Sequence, residues 1–211
     1  MTSSRRMRNP RRTASPISAP AGVVRLDDGF LITPTDACLG FLDPAQLART
    51  DALARQIGGL PASKTLALHA RIYDKAGRFD TETRCVLHTH STHCVSLTLD
   101  QSRSELLPAI TPYFVMKVGH VPVIPYDRPG APETVKAVAE AIDRYAACST
   151  PLRAVMLDRL GPMVWHDSPV AAMTVLEELE ESARLSRLCP DAVPLDDEAL
   201  EQLRRAFGAR W

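Results

Sequence analysis

The residues that decide the fold of this chain form the stretch 84–99, RCVLHTHSTHCVSLTL. The apolar residues at its start predict a short β-strand, and Ser91 or Thr92 can begin a helix directly afterwards. His88 and His90 lie at the junction, two positions apart. The stretch therefore predicts a strand followed by a helix, with two histidines where the strand ends.

His88 and His90 have the spacing of a metal-binding pair. Residues two apart on a strand point to the same face, with Cβ atoms roughly 7 Å apart, so both imidazoles can reach one ion at about 2.0–2.1 Å. A catalytic zinc site usually has three protein ligands and an open position, and His93 is the next candidate. The other interpretation is a structural histidine pair. The remaining histidines are expected to be structural or surface residues: His69, His120 and His166.

The patterns on both sides of this stretch predict an α/β domain. Apolar runs at 23–26 and 29–32 flank Asp27 and Asp28, which predicts a hairpin, and Asp43 followed by Pro44 predicts a helix start. Further strands are predicted at 84–87, 118–124, 153–157 and 163–165, and helices at 63–75, 132–147, 168–188 and 197–207. Strands that alternate with helices indicate the α/β class, and the hairpin favours a mixed sheet.

The composition limits the classes of partner. The 211 residues carry 25 Lys and Arg against 25 Asp and Glu, whereas nucleic-acid and membrane-surface binders usually carry a basic excess. No apolar run approaches the roughly 20 residues that span a bilayer. The five cysteines are an odd number without metal-type spacing, so free thiols in a reducing, cytoplasmic compartment are expected. We therefore expect no nucleic-acid partner and no membrane.

The first 22 residues differ in composition from the rest. Arginines alternate there with serine, proline and alanine, and no apolar period is present. The sequence predicts a disordered or non-native tail at 1–22 and a single domain at 23–211. A basic arm for nucleic acid is the weaker interpretation.

Four segments in order resemble the class II aldolase/adducin family. The stretch 88–99 resembles its metal-binding segment, and DGFLITPT at 28–35 resembles a second family motif. The segments 107–119 (LPAITPYFVMKVG) and 123–130 (VIPYDRPG) are most similar to the 3-oxo-tetronate 4-phosphate decarboxylase branch, with fuculose-phosphate aldolases as further relatives. The resemblance covers about residues 23–207.

This resemblance implies a class II aldolase-like α/β domain with a central mixed sheet flanked by helices. It also implies a homotetramer with sites between subunits, and a zinc ion that stabilises an enediolate during aldol cleavage or decarboxylation of a sugar phosphate or sugar acid. The residues that the resemblance or the local chemistry assigns are His88, His90 and His93 for the metal, Lys64 and Tyr113 for catalysis, and Thr35, Ser63 and Lys64 for phosphate.

Three positions depart from the family pattern. Thr65 stands where the family has a catalytic glutamate, and Leu160 stands where it has the third zinc histidine. Asp36 replaces a phosphate-loop glycine, and the earlier S-G-N loop, expected at 19–21, is missing. Leucine binds no metal, and threonine has no useful proton-transfer chemistry near neutral pH. His93, His120 or Asp158 could then supply the missing ligand.

Three functions are compatible with this pattern. The first is a zinc-dependent lyase acting on a phosphorylated sugar or sugar acid. The second is a catalytically impaired binding or assembly module on the same scaffold, which Thr65 and Leu160 favour. The third is a lyase with a rebuilt site for an unphosphorylated substrate, which Asp36 favours.

Overall fold

The computed structural model describes residues 21–35, 37, 41–99 and 103–211, which form one mixed sheet with helices on both faces. The strands are β1 (Ala21–Leu26), β2 (Gly29–Ile32), β3 (Ala48–Asp51), β4 (Gln56–Gly58), β5 (Cys85–His88), β6 (Val123–Ile124), β7 (Ala154–Leu157) and β8 (Gly161–His166). The helices are α1 (Leu66–Ala76), α2 (Thr92–Ser96), α3 (Pro112–Lys117), α4 (Pro132–Ala147), α5 (Pro169–Leu188) and α6 (Asp197–Phe207).

The sheet has the strand order β4-β3-β2-β1-β5-β8-β7-β6. All neighbouring strands are antiparallel except β6 and β7, which run parallel. The predicted α/β class and the mixed sheet are therefore confirmed. The predicted hairpin is β1–β2, with Leu26 opposite Gly29, and β1 begins two residues before the predicted start.

Strand β5 lies near the middle of the sheet, between β1 and β8. His88, its last residue, is opposite Ala21 on one side and Met163 on the other. Val86 joins the apolar cluster that contains residues of α1 and α4, whereas Cys85 joins the cluster on the opposite face with residues of α5. Both faces are covered, which explains why β5 is apolar almost throughout.

The long helices follow their predicted signals. Ser168 accepts a hydrogen bond from the backbone N–H of Ala171 at the start of α5, and Asp196 does the same for Ala199 in α6. Helix α4 begins at Pro132 as predicted. These three helices confirm that cap residues and first-turn prolines marked the helix starts correctly.

Other predictions of secondary structure were wrong or incomplete. The helix predicted from Ser63 begins at Leu66, because Ser63 forms part of the preceding turn. The predicted strand 118–124 is reduced to β6, and the helix predicted at Pro44 is a single 3-10 turn, Pro44–Gln46. Strands β3 and β4 and helix α3 were not predicted. Elements of three to six residues give too few repeats for a periodic pattern.

Four of the five cysteines lie in the described part of the chain, and all four are free: Cys85, Cys94, Cys148 and Cys189. Among the described helices, none combines the length and apolar character that crossing a membrane requires. The predicted tail at 1–22 lies outside the described residues except for its last two positions, as do Asp36 and Cys38.

Candidate active site

A cavity of about 210 Å³ opens at the end of β5, and we call it the β5 cavity. Its walls are the loop before α1, the end of β5, the loop and first turn of α4, and the turn between β7 and β8. His88 and His90 both line it, together with Ser63, Lys64 and Leu160. The structure thus places both histidines of the predicted pair in one cavity.

His88 is held in one orientation by the neighbouring strand. Its Nδ1 atom lies 3.1 Å from the carbonyl oxygen of Pro162. A carbonyl only accepts hydrogen bonds, so this contact assigns the proton to Nδ1 and leaves a lone pair on Nε2. Burial and the nearby His90 together lower the pKa of His88 to about 4, although the hydrogen bond to Pro162 acts in the opposite direction. His88 is therefore neutral at pH 7, the form that binds a metal or accepts a proton.

The ring of His90 lies beside that of His88. The two ring centroids are 5.3 Å apart and the ring planes are inclined at 71°. His90 follows the end of β5, where the chain enters the loop before α2. The pair therefore combines one histidine fixed in the sheet with one on a loop.

His93, the predicted third ligand, is engaged elsewhere. Its Nδ1 lies 2.9 Å from Glu180 Oε1, and its backbone N–H donates to the same oxygen at 3.0 Å. The N–H of Cys94 donates to Glu180 Oε2 at 3.1 Å. Burial opposes ionisation of Glu180, but these hydrogen bonds outweigh it and lower the pKa of the carboxyl. His93 is not in the lining of the β5 cavity; it helps fix the start of α2 against α5.

His120 and Asp158, the other possible ligands, also lie apart from the pair. The ring of His120 stacks on Trp211, with centroids 4.3 Å apart, and its Nδ1 lies 3.7 Å from Glu105 Oε1. Asp158 Oδ1 is buried without a hydrogen-bond partner in the described structure, and Asp158 does not line the β5 cavity.

The described donors do not fit a resident catalytic zinc ion. Across 21–35, 37, 41–99 and 103–211, no three His, Cys, Asp or Glu side chains converge closely enough to hold a metal ion. Leu160, at the position expected for the third ligand, lines the cavity with its apolar side chain and packs against the core. His88 and His90 supply two nitrogens, whereas such zinc sites usually have three protein ligands.

His69 lies buried beneath this site. It is fully buried in α1, and neither ring nitrogen has a hydrogen-bond partner among the described residues. Desolvation lowers the pKa of His69 to about 3, and His88 contributes in the same direction. His69 is therefore a neutral core residue, and it is not in the cavity lining.

The predicted phosphate residues divide into two groups. Ser63 and Lys64 line the β5 cavity, but Thr35 does not, and its hydroxyl donates to the carbonyl oxygen of Ala62 at 3.0 Å. Thr65, at the family's glutamate position, also lines the cavity, and its hydroxyl lies 2.9 Å from that of Ser63. Thr65 therefore places a hydroxyl, hydrogen-bonded to that of Ser63, at the position where the resemblance leads one to expect a glutamate.

The charge of the β5 cavity is positive. Lys64 and Arg128 are the charged side chains of its described lining, and neither forms an ion pair within the described structure. No sequence pattern singled out Arg128 as a site residue. Its position in the sequence could have indicated this role, because Arg128 lies in a loop between a strand and a helix N-terminus. Such loops commonly bind anions in α/β proteins.

Tyr113 is not part of this cavity. It lies on α3 with 60% of its surface exposed, and Lys117 Nζ is 5.4 Å from the centre of its ring. The structure of one chain thus brings Lys64 to the histidine pair but leaves Tyr113 on the outer surface.

The fold and the sequence of this chain are similar to those of known proteins. The chain matches the family described as Class II Aldolase and Adducin N-terminal domain over residues 11–186, and it belongs to that family. Its relatives include decarboxylases and aldolases, so the chain is a protein of the class II aldolase lyase type.

Particular relatives are similar over most of their length. The chain is 49% identical over 195 residues to 3-oxo-tetronate 4-phosphate decarboxylase from Cupriavidus necator, covering 89% of this chain and 85% of the relative. It is 27% identical to L-fuculose phosphate aldolase from Methanococcus vannielii, covering 78% of this chain and 82% of the relative. The crystal structure of YgbL from Escherichia coli matches with a TM-score of 0.77 and 30% identity, covering 90% of this chain and 88% of that one.

Proposed function

We propose that this chain is a class II aldolase-type lyase that decarboxylates a small phosphorylated sugar acid. The observation that carries the proposal is the β5 cavity, where two histidines share the lining with Lys64 and Arg128. An anionic substrate fits this charge, and the 49% identical relative is named for a phosphorylated oxo-acid. The similarity to that relative favours decarboxylation over aldol cleavage.

The reaction sets a clear requirement on the site. When a β-keto acid loses carbon dioxide, the bond to the carboxylate carbon breaks and its electron pair moves toward the ketone oxygen. The resulting enolate then takes a proton on carbon from water. Catalysis requires a positive or hydrogen-bonding group beside that oxygen. Lys64 is our candidate, because its ammonium group has no ion-pair partner in the described structure.

His88 and His90 have a separate role in this proposal. The Nε2 lone pair of neutral His88 can accept a hydrogen bond from a substrate hydroxyl, which would orient the substrate. The zinc dependence and the enediolate intermediate implied by the family remain predictions. The described donors supply only two of the usual three protein ligands, so no step is assigned to a metal here.

The homotetramer also remains a prediction. Tyr113 is exposed and lies outside the β5 cavity of its own chain. If Tyr113 is catalytic, it would act at the cavity of a neighbouring subunit. Light scattering should then show an oligomer, and mixing Tyr113→Phe subunits with His90→Ala subunits should restore activity to part of the mixed assemblies.

Carbon dioxide release from 3-oxo-tetronate 4-phosphate tests the proposed activity. We expect turnover that His90→Ala reduces at least about 100-fold, while His166→Ala, on β8 opposite the first residue of β5, leaves it within a few-fold. Circular dichroism should show that both variants fold. Parallel assays with added zinc and with a chelator test the metal dependence. No turnover under any of these conditions would refute the proposal.

The second candidate, a binding or assembly module, makes the opposite prediction. Thr65 and Leu160, both in the cavity lining, are the observations that favour it. For such a module, the wild-type chain should bind phosphorylated sugar acids without releasing carbon dioxide, and His90→Ala should behave like the wild type in the same assay.

A further inference from the structure

We propose that the chain has a second ligand site, for a small singly charged carboxylate, in a pocket beside the end of β8. We call it the β8 pocket; Thr83, Arg153, Trp165 and His166 line it together with three acidic residues. None of its lining residues lines the β5 cavity, which lies toward the other end of β5 and β8. The proposal is therefore independent of the proposed function.

The order of the strands brings three polar residues to this end of the sheet. Strands β5, β8 and β7 are neighbours, and Thr83 precedes β5, Trp165 lies near the end of β8 and Arg153 precedes β7. The backbone N–H of Trp165 donates to the carbonyl oxygen of Arg153 at 2.9 Å. The N–H of Arg84 donates to the carbonyl oxygen of His166 at the same distance. These backbone hydrogen bonds fix the three residues around one pocket.

Two of the residues that line the β8 pocket have buried polar atoms without a partner. Thr83 is 3% exposed and Trp165 is 1% exposed. Thr83 Oγ1 and Trp165 Nε1 form no hydrogen bond within the described structure. An indole N–H can only donate, and a threonine hydroxyl has a proton to donate. Buried donors are costly when unsatisfied, so we expect an acceptor in the pocket that both residues line.

Arg153 favours an anion as that acceptor. The side chain is half-buried, its Nη1 donates to the carbonyl oxygen of Lys117 at 3.4 Å, and it forms no ion pair within the described structure. Burial and the neighbouring Arg210 lower the pKa of the Arg153 guanidinium, while Asp80 and Asp167 act in the opposite direction. A carboxylate can accept two parallel hydrogen bonds from a guanidinium group, which makes it a suitable ligand here.

The acidic residues of the lining limit the charge of the ligand. Asp80 is paired with Arg210, and Asp167 Oδ1 lies 3.0 Å from His166 Nδ1. Glu82 is exposed and forms no ion pair within the described structure. The lining thus has one unpaired cation and one unpaired carboxylate, which favours a singly charged ligand over a phosphate dianion. The pocket has a volume of about 110 Å³, which suits a molecule as small as acetate, since one water takes about 30 Å³ in the liquid.

Titration of the purified full chain with acetate tests the site. The chain has two tryptophans, so Trp165→Phe and Trp211→Phe assign the two indole N–H signals in a proton–nitrogen NMR spectrum. Acetate should shift the Trp165 signal far more than the Trp211 signal, and the shift gives the Kd. Arg153→Gln should raise this Kd about 10-fold or more and Thr83→Val about 3- to 10-fold. Thr83→Ser, which keeps the hydroxyl, should bind like the wild type.

Two further variants and a second probe test the role of charge. Arg84→Gln is the matched control, because Arg84 is an exposed cation 3.6 Å from Asp27 and lies outside the lining of the β8 pocket. Its Kd for acetate should equal that of the wild type. Glu82→Gln should lower the Kd about 2-fold at low salt, because it removes an unpaired negative charge. Phosphate should bind at least about 10-fold more weakly than acetate.

Several results would overturn the site. If acetate leaves the Trp165 signal of the folded wild-type chain unchanged, the pocket holds only water. Equal shifts of both indole signals, wild-type Kd values in both Arg153→Gln and Thr83→Val, or an equal loss in Arg84→Gln would also contradict it. Phosphate binding as tight as acetate binding would show that the assignment to a singly charged carboxylate is wrong. Circular dichroism checks the fold of each variant, and if Arg153→Gln does not fold, the comparison of Thr83→Val with Thr83→Ser decides.

Discussion

The imidazole of His88 is hydrogen-bonded to the carbonyl oxygen of Pro162, across the boundary between β5 and β8. Pro162 is the second residue of β8, and Leu160, where the family's third zinc ligand is expected, lies in the turn just before that strand. The start of β8 therefore still orients the first histidine, although the preceding turn lacks a metal ligand. The hydrogen bond that orients His88 is thus present while residue 160 supplies no ligand, and substitutions can test the two features separately.

Restoring the missing ligand should create a zinc site. Leu160→His should raise zinc affinity on the order of 100-fold or more over the wild type, because a third nitrogen donor joins His88 and His90. Competition with a chromophoric chelator measures this, and zinc should raise the Tm of the variant but hardly that of the wild type. Leu160→Gln, similar in size without an imidazole, is the control. Equal zinc affinity of all three proteins would contradict the prediction.

Glu180 should be important for stability. Glu180→Gln removes the charge that accepts three hydrogen bonds at the start of α2, so we expect a loss of about 1–3 kcal/mol in the free energy of unfolding. Urea titration gives this value. Glu181→Gln, at an exposed pair 3.4 Å from Arg184, should change it by less than about 0.5 kcal/mol. Similar losses in both variants would show that Glu180 has no special role.

His69 should make stability depend on pH. Its folded pKa of about 3 lies below the ordinary value of 6.5, so below pH 6.5 the unfolded chain binds more protons than the folded chain. The contribution of His69 to the free energy of unfolding is thus fully present above pH 6.5 and is lost as the pH drops toward 3. At pH 5 we expect this single group to have lowered the free energy of unfolding by about 2 kcal/mol.

The variant His69→Leu tests this assignment. It removes a titrating group whose ring nitrogens have no partner in the described structure, so stability at pH 7 should stay equal or rise. Denaturant unfolding at a series of pH values should show a smaller loss between pH 6.5 and 5 than in the wild type. An unchanged pH dependence would assign the effect to other groups.

Gly161 should be intolerant of a side chain. Its φ is +120°, and a Cβ atom would lie 2.0 Å from the backbone oxygen of Thr89, between the two histidines. Gly161→Ala should cost roughly 3 kcal/mol or more and lower turnover by displacing His90. Gly208→Ala has a left-handed φ of +64° but open space around it, so about 1–2 kcal/mol is expected. Chemical denaturation of both variants separates the two effects: Gly208→Ala introduces backbone strain alone, and Gly161→Ala introduces strain together with a steric clash.

The sequence predicted those parts of the fold that carry a local signal. The β1–β2 hairpin and the helices α4, α5 and α6 have turn residues, capping side chains or first-turn prolines at their ends. Strands β3 and β4 have three or four residues each and depend on pairing with β2 and with each other, which no local pattern encodes. Helix α3 did have a signal, Thr111 before Pro112, and the Thr111 hydroxyl accepts from Phe114 N–H.

The site was predictable to a similar extent. The spacing of His88 and His90 suggested one shared site, and the structure places both in one cavity. Arg128 and Thr134 reach the same cavity only because the β6–α4 loop packs beside the loop before α1, a tertiary relation. His93 remains a predicted ligand, but its position in the sequence gave no sign that Glu180, 87 residues later, would engage it.

Leu160 has a consequence for how this protein reaches its folded state. Its side chain packs against the core cluster that joins α1 and α4 to the sheet. In a site with a structural or catalytic ion, part of the local order has to await metal supply. Here an apolar contact occupies that position, so the turn before β8 is fixed by packing against the core rather than by a ligand at residue 160.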